Sequence, residues 1–208
     1  FPKNNFLQKV RKITKKNNIV LIFDECTTGF RNNLGGIHRY FKVEPDIAIY
    51  GKTLGNGYAI NAIIGKKDIM DEAQSNFISS TFWTERTGPT AAIATIKEMR
   101  KKKPFQVINK KGKKISTIWK YLSKKYNLPI EILSIPSLIS FKFKLKNNEI
   151  YKKIITKEML RYGFLASTKV YVCMAHTDKI IKKYSFYMDR VFKKIKEFED
   201  GRPLKIQG

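Results

Sequence analysis

Residues 19–25 read IVLIFDE, five apolar side chains followed by two carboxylates, the first of which is Asp24. A second run, residues 45–52, reads PDIAIYGK and ends at Lys52. Short apolar runs closed by acidic residues or glycine are typical of strands that are buried on both faces. Open α/β sheets bind ligands at the carboxyl ends of such strands, so we expect Asp24 and Lys52 to meet at that edge.

The chain is strongly basic. Its 208 residues include 42 Lys and Arg against 17 Asp and Glu, a formal net charge of +25. Such a charge suggests nucleic acid or an anionic membrane as a partner. However, 34 of the cations are lysines spread along nearly every segment, and lysine recognises phosphates and bases less well than arginine does. We therefore interpret most of the charge as solvated helix surface and keep a basic nucleic-acid-binding module as a remote alternative.

Several classes of protein are disfavoured by composition. No apolar run approaches the roughly 20 residues of a membrane-spanning helix, so no membrane segment is predicted. Cys26 and Cys173 are the only cysteines and lie outside any paired motif, which argues against a disulfide framework and favours a cytoplasmic location. The two histidines, His38 and His176, are far apart, so we predict structural or capping roles for them and no metal site.

The pattern of apolar residues changes at Pro104. Residues 1–103 alternate strand-like runs with helices, which predicts an α/β domain. Residues 104–208 contain long amphipathic helices with isolated short strands, placed at 137–143 and 171–173, which predicts a smaller α+β domain.

A carboxylate at one strand end beside a lysine at the next has two interpretations. One is a buried ion pair, which is costly unless every polar group in it is satisfied. The sharper hypothesis is a pyridoxal 5′-phosphate (PLP) site, because that chemistry needs both residue types. A lysine forms a Schiff base with the aldehyde of the cofactor, and a carboxylate keeps the pyridine nitrogen protonated so that the ring accepts electrons.

Two motifs carry this chemistry. They are DECTTGFR at residues 24–31 and GKTLGNG at 51–57, and 28 residues separate Asp24 from Lys52. Both resemble motifs of the class III (fold type I) PLP-dependent aminotransferases, and SSTFW at 79–83 extends the resemblance. Within that family the resemblance is closest to proteins like glutamate-1-semialdehyde 2,1-aminomutase.

The resemblance implies a role for each of four residues. Lys52 is the catalytic residue that forms the Schiff base, and Asp24 pairs with the pyridinium nitrogen. Cys26 packs against the cofactor ring, and Thr81 reaches the cofactor phosphate of the neighbouring subunit. A homodimer with its site at the subunit interface is therefore expected.

The resemblance also implies a fold and an activity. The fold is part of the fold type I large domain, with a mostly parallel sheet and helices, followed by a small α+β C-terminal domain. Relatives of this kind carry a phosphate loop and a ring-stacking aromatic in an amino-terminal half, so the chain resembles a C-terminal fragment. The implied activity is amino group transfer between a small-molecule amino donor and a small carbonyl or sugar-type acceptor. Intramolecular amino transfer by an aminomutase uses the same residues and stays open as the alternative.

Overall fold

A computed structural model describes residues 2–202 of the chain. These residues form two compact units, one comprising Pro2–Gln106 and the other beginning at Val107. Each unit has a hydrophobic core of its own. That the two units are separate domains with a boundary after residue 103 stays a prediction.

The first unit is built on a three-stranded sheet in the order β1-β2-β3. Strand β1 (Ile22–Asp24) runs parallel to β2 (Ile47–Tyr50), and β2 pairs antiparallel with β3 (Ala62–Gly65). Strands β1 and β2 lie within the two runs at residues 19–25 and 45–52 that predicted them, and each is shorter than its run. Because β1 and β2 are parallel, their carboxyl ends emerge at the same edge of the sheet.

Three helices accompany this sheet. They are α1 (Phe6–Lys16), α2 (Lys67–Met70) and α3 (Thr87–Lys102), and 3-10 turns cover Ile37–Arg39 and Asp71–Ser75. Helix α3 has Pro89 in its first turn, where a missing N–H is harmless, and ends in a run of cations that suits the negative end of the helix dipole.

Strand β2 is central to the core of the first unit. Ala48 and Tyr50 are buried and share one face of the strand, since strand side chains alternate between faces. Leu54, from the turn after β2, and Ala92 of α3 complete this small core. Gly51 and Lys52 therefore follow directly from a strand whose position is fixed by packing.

The amino end of the sheet is held by one buried carboxylate. Asp46 accepts hydrogen bonds from Arg11 of α1 at 2.8 Å, from Lys66 at 2.6 Å and from the backbone N–H of Leu21 at 2.8 Å. Desolvation alone would raise the pKa of Asp46, but the hydrogen bonds from Lys66, Leu21 and Arg11 outweigh it and hold that pKa well below its ordinary value. Asp46 thus ties the starts of β1 and β2 to α1 and to the end of β3.

The second unit packs three helices against a two-stranded antiparallel sheet. Its helices are α4 (Pro104–Lys125), whose first turn precedes the boundary at Val107, α5 (Asn148–Arg161) and α6 (Asp178–Glu199). Its strands are β4 (Ile130–Leu133) and β5 (Ser140–Phe143). Trp119, Phe141 and Phe192 are fully buried in its core. The indole Nε1–H of Trp119 donates to the Tyr184 hydroxyl at 2.8 Å, so the core leaves neither polar group unsatisfied.

Two strand predictions in the second unit differ from the structure. Residues 137–143 divide into a 3-10 turn at Pro136–Leu138 and strand β5, because Pro136 starts a turn there. Residues 171–173 form no strand, although the Val172 N–H donates to the Ser137 carbonyl at 2.9 Å. Within residues 2–202, no helix is long and apolar enough to cross a membrane.

Candidate active site at the carboxyl edge of the sheet

The structure brings Asp24 and Lys52 to the same edge of the first unit. Asp24 is the last residue of β1 and lies opposite Ile49 in the parallel pairing, while Lys52 follows the end of β2 by two residues. The backbone N–H of Glu25 donates to the Ile49 carbonyl at 2.8 Å, which extends the pairing one residue past the strand. Both side chains are exposed, so a ligand can reach the carboxylate and the amine from solvent.

Cys26 lies beside both of these charged residues. Its backbone N–H donates to Asp24 Oδ1 at 2.9 Å. A Cβ built on Gly51 would lie 3.2 Å from Cys26 Sγ, so the thiol reaches the residue before Lys52. Desolvation raises the pKa of the Cys26 thiol, a hydrogen bond and the negative charge of Asp24 raise it further, and the charge of Lys52 opposes them. The carboxylate, thiol and amine therefore form one cluster.

Lys52 has an unusual backbone and a defined side-chain partner. Its φ of 39° lies in the left-handed region, which side chains other than glycine rarely adopt. Such strain persists only where surrounding contacts fix it and is found often at functional sites. Here the turn is held by the Leu54 N–H donating to the Gly51 carbonyl at 2.9 Å. The Lys52 Nζ donates to Thr27 Oγ1 at 2.5 Å.

Glu25, next to Asp24, points the opposite way and is 2% exposed. It accepts hydrogen bonds from the backbone N–H of His38 at 2.9 Å and from the Thr28 hydroxyl at 2.5 Å, and His38 Nδ1 lies 3.1 Å from its Oε1. Alternation along the strand thus exposes one carboxylate and buries the next. Glu25 and His38 support the loop that carries Cys26 and Thr27.

Gly29 fits closely beneath this loop. A Cβ at Gly29 would lie 2.7 Å from Tyr50 Cδ1 and 2.8 Å from the Glu25 carbonyl oxygen, which is too close for any other residue without movement. The glycine of the DECTTGFR motif is therefore required by packing against β2, independently of any ligand.

Thr81 lies elsewhere in the first unit. It is exposed in a turn at residues 81–84 and makes no hydrogen bond with Asp24, Cys26 or Lys52 within the described chain. Phe77 and Trp83 near it are 95% and 66% exposed. The role expected of Thr81 places it at the site of another subunit, so the structure of one chain does not test that role, which stays a prediction.

Two further residues of the edge were not singled out from sequence. Thr27 holds the Lys52 amine, and Glu25 anchors the loop below it. Both lie inside the DECTTGFR motif, so the motif was the feature of the sequence that could have identified them. The residue types alone do not reveal which threonine faces the lysine. No group of three or more His, Cys, Asp and Glu side chains that could hold a metal ion occurs in residues 2–202.

The residue types at this edge fit a cofactor that carries an aldehyde and a protonated ring nitrogen. The amine of Lys52 can bond covalently to an aldehyde carbon, and the carboxylate of Asp24 can accept a hydrogen bond from a pyridinium N–H. Cys26 offers a small, weakly polar side chain between them, suited to contact with an aromatic ring.

Curated relatives share sequence with nearly the whole chain. The 3-aminobutyryl-CoA aminotransferase of Cloacimonas acidaminovorans is 33% identical over 184 residues, which is 86% of this chain and 44% of the relative. A glutamate-1-semialdehyde 2,1-aminomutase of Methanococcus maripaludis strain C7 is 32% identical over 211 residues, 93% of this chain and 49% of the relative. Another, of Nitrosopumilus maritimus, is 36% identical over 201 residues, 88% of this chain and 47% of the relative.

Solved structures show the same fold. The FumI protein of Sphingopyxis sp. MTA144, in its PLP internal aldimine form, superposes with a TM-score of 0.85 at 21% identity, covering 93% of this chain and 48% of that one. An omega-transaminase from Sphaerobacter thermophilus superposes with a TM-score of 0.80 at 19% identity, covering 93% of this chain and 48% of that one. The α/β, fold type I architecture expected from sequence is therefore confirmed.

The chain spans about half the length of the curated relatives it matches, from 44% to 49% of those named above. Residues 1–183 match the family described as Aminotransferase class-III, and this match includes every residue of the carboxyl-edge cluster. The chain belongs to the class III aminotransferase family.

Proposed function

We propose that the chain supplies the lysine and the carboxylate of a PLP-dependent amino-group-transfer site. The observation that carries the proposal is the placement of Asp24 and Lys52 at the carboxyl ends of adjacent parallel strands, with the Cys26 thiol beside both. Family membership supports the same chemistry. Among residues 2–202, Asp24 and Lys52 form no ion pair with each other, so the interpretation as a buried structural ion pair is not supported.

The residues of the cluster have distinct roles in this proposal. Bound PLP supplies an aldehyde and a ring that accepts electrons from the substrate. Asp24 holds the proton on the ring nitrogen with its carboxylate. Lys52 would anchor the cofactor through its ε-amine, and that amine, when free, would move a proton to and from the substrate α-carbon. Cys26 packs against the ring and limits its movement.

The site is completed by a second subunit in this proposal. Thr81 binds the cofactor phosphate of the neighbouring subunit, and the chain acts as a homodimer. The segment that contains Thr81 also exposes four large apolar side chains, Phe77, Ile78, Phe82 and Trp83, and this supports the dimer because large exposed apolar surface often marks protein contacts. Sedimentation of the wild-type chain and of Trp83→Glu tests it: the wild type sediments as a dimer and the variant as a monomer, and a monomeric wild type contradicts the homodimer.

The proposed substrates are a small-molecule amino donor and a small carbonyl or sugar-type acceptor, handled in the cytoplasm. Two free cysteines, Cys26 and Cys173, suit such a reducing compartment. Intramolecular amino transfer is the second candidate, because two of the relatives named above are glutamate-1-semialdehyde 2,1-aminomutases. Both activities use Lys52 and Asp24 in the same roles.

A single-turnover experiment separates these activities. The PLP-loaded protein is mixed with one amino acid at a time, with no acceptor present, and the oxo-acid product is measured by mass spectrometry. Transamination predicts an oxo acid in amounts equal to Lys52 sites, and its absence from Lys52→Ala. A matched variant, Lys97→Ala, changes an exposed lysine of α3 and keeps the product.

The aminomutase alternative predicts the opposite requirement. Glutamate-1-semialdehyde would be converted to its isomer without any external amino donor, and the amino acids would give no oxo acid. A PLP-loaded wild-type protein that performs neither reaction, with any donor or with the semialdehyde, contradicts the proposed function.

A further inference from the structure

Two adjacent threonines in the loop after β1 have separate partners. The Thr28 hydroxyl donates to Glu25 Oε2 at 2.5 Å, three residues away within the same loop. The Thr27 hydroxyl accepts from Lys52 Nζ at 2.5 Å, across 25 residues of sequence and between two strand ends. Thr28 therefore helps to hold the loop in place, whereas Thr27 contacts the reactive amine of Lys52.

The partner of Lys52 is a neutral hydroxyl although a carboxylate lies in the same cluster. Among the described residues, Lys52 forms its hydrogen bond with Thr27 and no ion pair with Asp24. A lysine paired with Asp24 would occupy the carboxylate that has to meet a ring nitrogen. A hydroxyl leaves Asp24 available and keeps the amine in a fixed position.

A hydroxyl also suits an amine that changes its protonation state. It can accept a hydrogen bond from an ammonium group and donate one to a neutral amine, whereas a carboxylate only accepts. Contact between Thr27 and Lys52 can thus persist before and after the amine gives up a proton. A valine of similar shape could do neither.

Thr27 is itself held in place. Arg31 Nε donates to the Thr27 carbonyl at 2.7 Å, and the Gly29 N–H donates to the Glu25 carbonyl at 2.8 Å. The loop is anchored below by buried Glu25 through His38. The hydroxyl of Thr27 therefore has a defined location, which a group that positions another must have.

We propose that Thr27 is a positioning residue that holds the ε-amine of Lys52 away from Asp24 and aimed at an incoming aldehyde. This inference rests on the proposed function, since the aldehyde is that of PLP. It assigns to the hydroxyl of Thr27 a role in the rate of covalent capture and none in the stability of the fold. The hydroxyl of Thr28 is assigned the reverse, a role in the stability of the fold and none in the rate of covalent capture.

The test compares Thr27→Val, Thr27→Ser and Thr28→Val with the wild-type chain. Each protein is mixed with PLP, samples are reduced with borohydride over time, and the fraction of Lys52 that carries the reduced cofactor is measured by peptide mapping. Thr27→Val should slow capture at Lys52 about tenfold, the effect of losing one hydrogen bond to a charged group. Thr27→Ser should restore it. Thr28→Val should unfold at lower denaturant and keep the wild-type rate.

A second readout uses no cofactor. Brief treatment with acetic anhydride labels exposed amines, and Lys52 of Thr27→Val should be acetylated faster than in the wild type, because the amine is no longer held. Lys97, far along the sequence on α3, serves as the internal reference. Slower capture together with faster acetylation distinguishes lost positioning from a general loss of reactivity.

The outcomes separate the two claims. If Thr27→Val and the wild type capture PLP at equal rates, and the reduced cofactor is found on Lys52 in both, the inference is overturned. The proposed function then stands. No reduced cofactor on Lys52 in the wild type overturns the proposed function. In that case the acetylation rate of Lys52 decides whether Thr27 holds the amine. An unchanged acetylation rate in Thr27→Val shows that Thr27 does not hold it.

Discussion

The two ends of the β1–β2 pair place similar residues in opposite circumstances. At the amino end, Asp46 is buried and bonded to Arg11, Lys66 and a backbone N–H. At the carboxyl end, Asp24 is exposed and lies in a cluster with Lys52, which bonds to a neutral hydroxyl instead. Both ends combine an aspartate with a lysine, but only the amino end pairs them directly.

This difference separates a structural carboxylate from one that is available to a ligand. Burial makes the hydrogen bonds of Asp46 necessary, since an unpaired buried charge is costly. Exposure removes that necessity from Asp24, and Lys52 at the same end has a left-handed backbone. We therefore expect substitutions at the amino end to change stability and those at the carboxyl end to change chemistry.

The largest expected difference is between alanine substitutions of the two lysines, Lys52 at the carboxyl end and Lys66 at the amino end. Lys52→Ala should abolish the visible absorbance that bound PLP develops, because no other lysine of the cluster can anchor the aldehyde. Lys66→Ala should keep that absorbance and lose about 1 kcal/mol of unfolding free energy, as its ion pair with Asp46 is half-exposed. Spectral titration and denaturant unfolding of both variants measure this. A band that persists in Lys52→Ala would contradict the assignment of the carboxyl end.

Alanine substitutions of the two aspartates should differ in their effect on the free energy of unfolding. Asp46→Ala should lower the free energy of unfolding by about 3 kcal/mol, because Arg11 and the Leu21 N–H lose their partner. Asp24→Ala should change it by about 0.5 kcal/mol, since its carboxylate is exposed. Urea unfolding followed by circular dichroism gives both values. Equal losses would show that the two ends do not differ in the way described.

As the pH falls, the stabilising contacts of Asp46 at the amino end of the sheet should be lost first. The pKa of Asp46 is lowered in the folded chain, so the unfolded chain binds the proton more readily and acid favours unfolding. The contribution of Asp46 is complete above about pH 5 and is lost as the pH falls through its folded pKa. Unfolding free energy measured from pH 6 to pH 3 should fall less in Asp46→Asn than in wild type or Asp24→Asn. The same slope in all three proteins would contradict the role of Asp46.

The smallest expected effect concerns the thiol of the carboxyl end. The pKa of Cys26 is raised, first by desolvation and then by Asp24, so little thiolate is present near neutral pH. Iodoacetamide should therefore modify Cys26 several-fold more slowly than the exposed Cys173, as followed by mass spectrometry. Asp24→Asn should speed the modification of Cys26 and leave Cys173 unchanged. Faster modification of Cys26 than of Cys173 in the wild type would contradict this account of the cluster.

The sequence was sufficient to predict strands in the two apolar runs and the edge at which Asp24 and Lys52 emerge, because apolar runs and their closing residues depend on local pattern. The prediction that these strands are buried on both faces was wrong for β1, since Ile22 is 51% exposed. It missed strand β4 (Ile130–Leu133), whose run is short and interrupted by Glu131. It could not assign Thr27 and Thr28, because which hydroxyl faces Lys52 depends on the turn after β1 and on burial of Glu25. It was likewise silent on Asp46, whose partners come from three distant segments.

The most direct test of the central claim is the location of a reduced PLP bond in the wild-type chain. The protein is mixed with PLP at substoichiometric concentration, reduced with borohydride, digested and mapped by mass spectrometry against all of its 34 lysines. We predict that the cofactor is found on Lys52 and that Asp24→Asn lowers its occupancy there. A label distributed over surface lysines, with Lys52 no more modified than Lys97, would contradict the assignment of this edge as a PLP site.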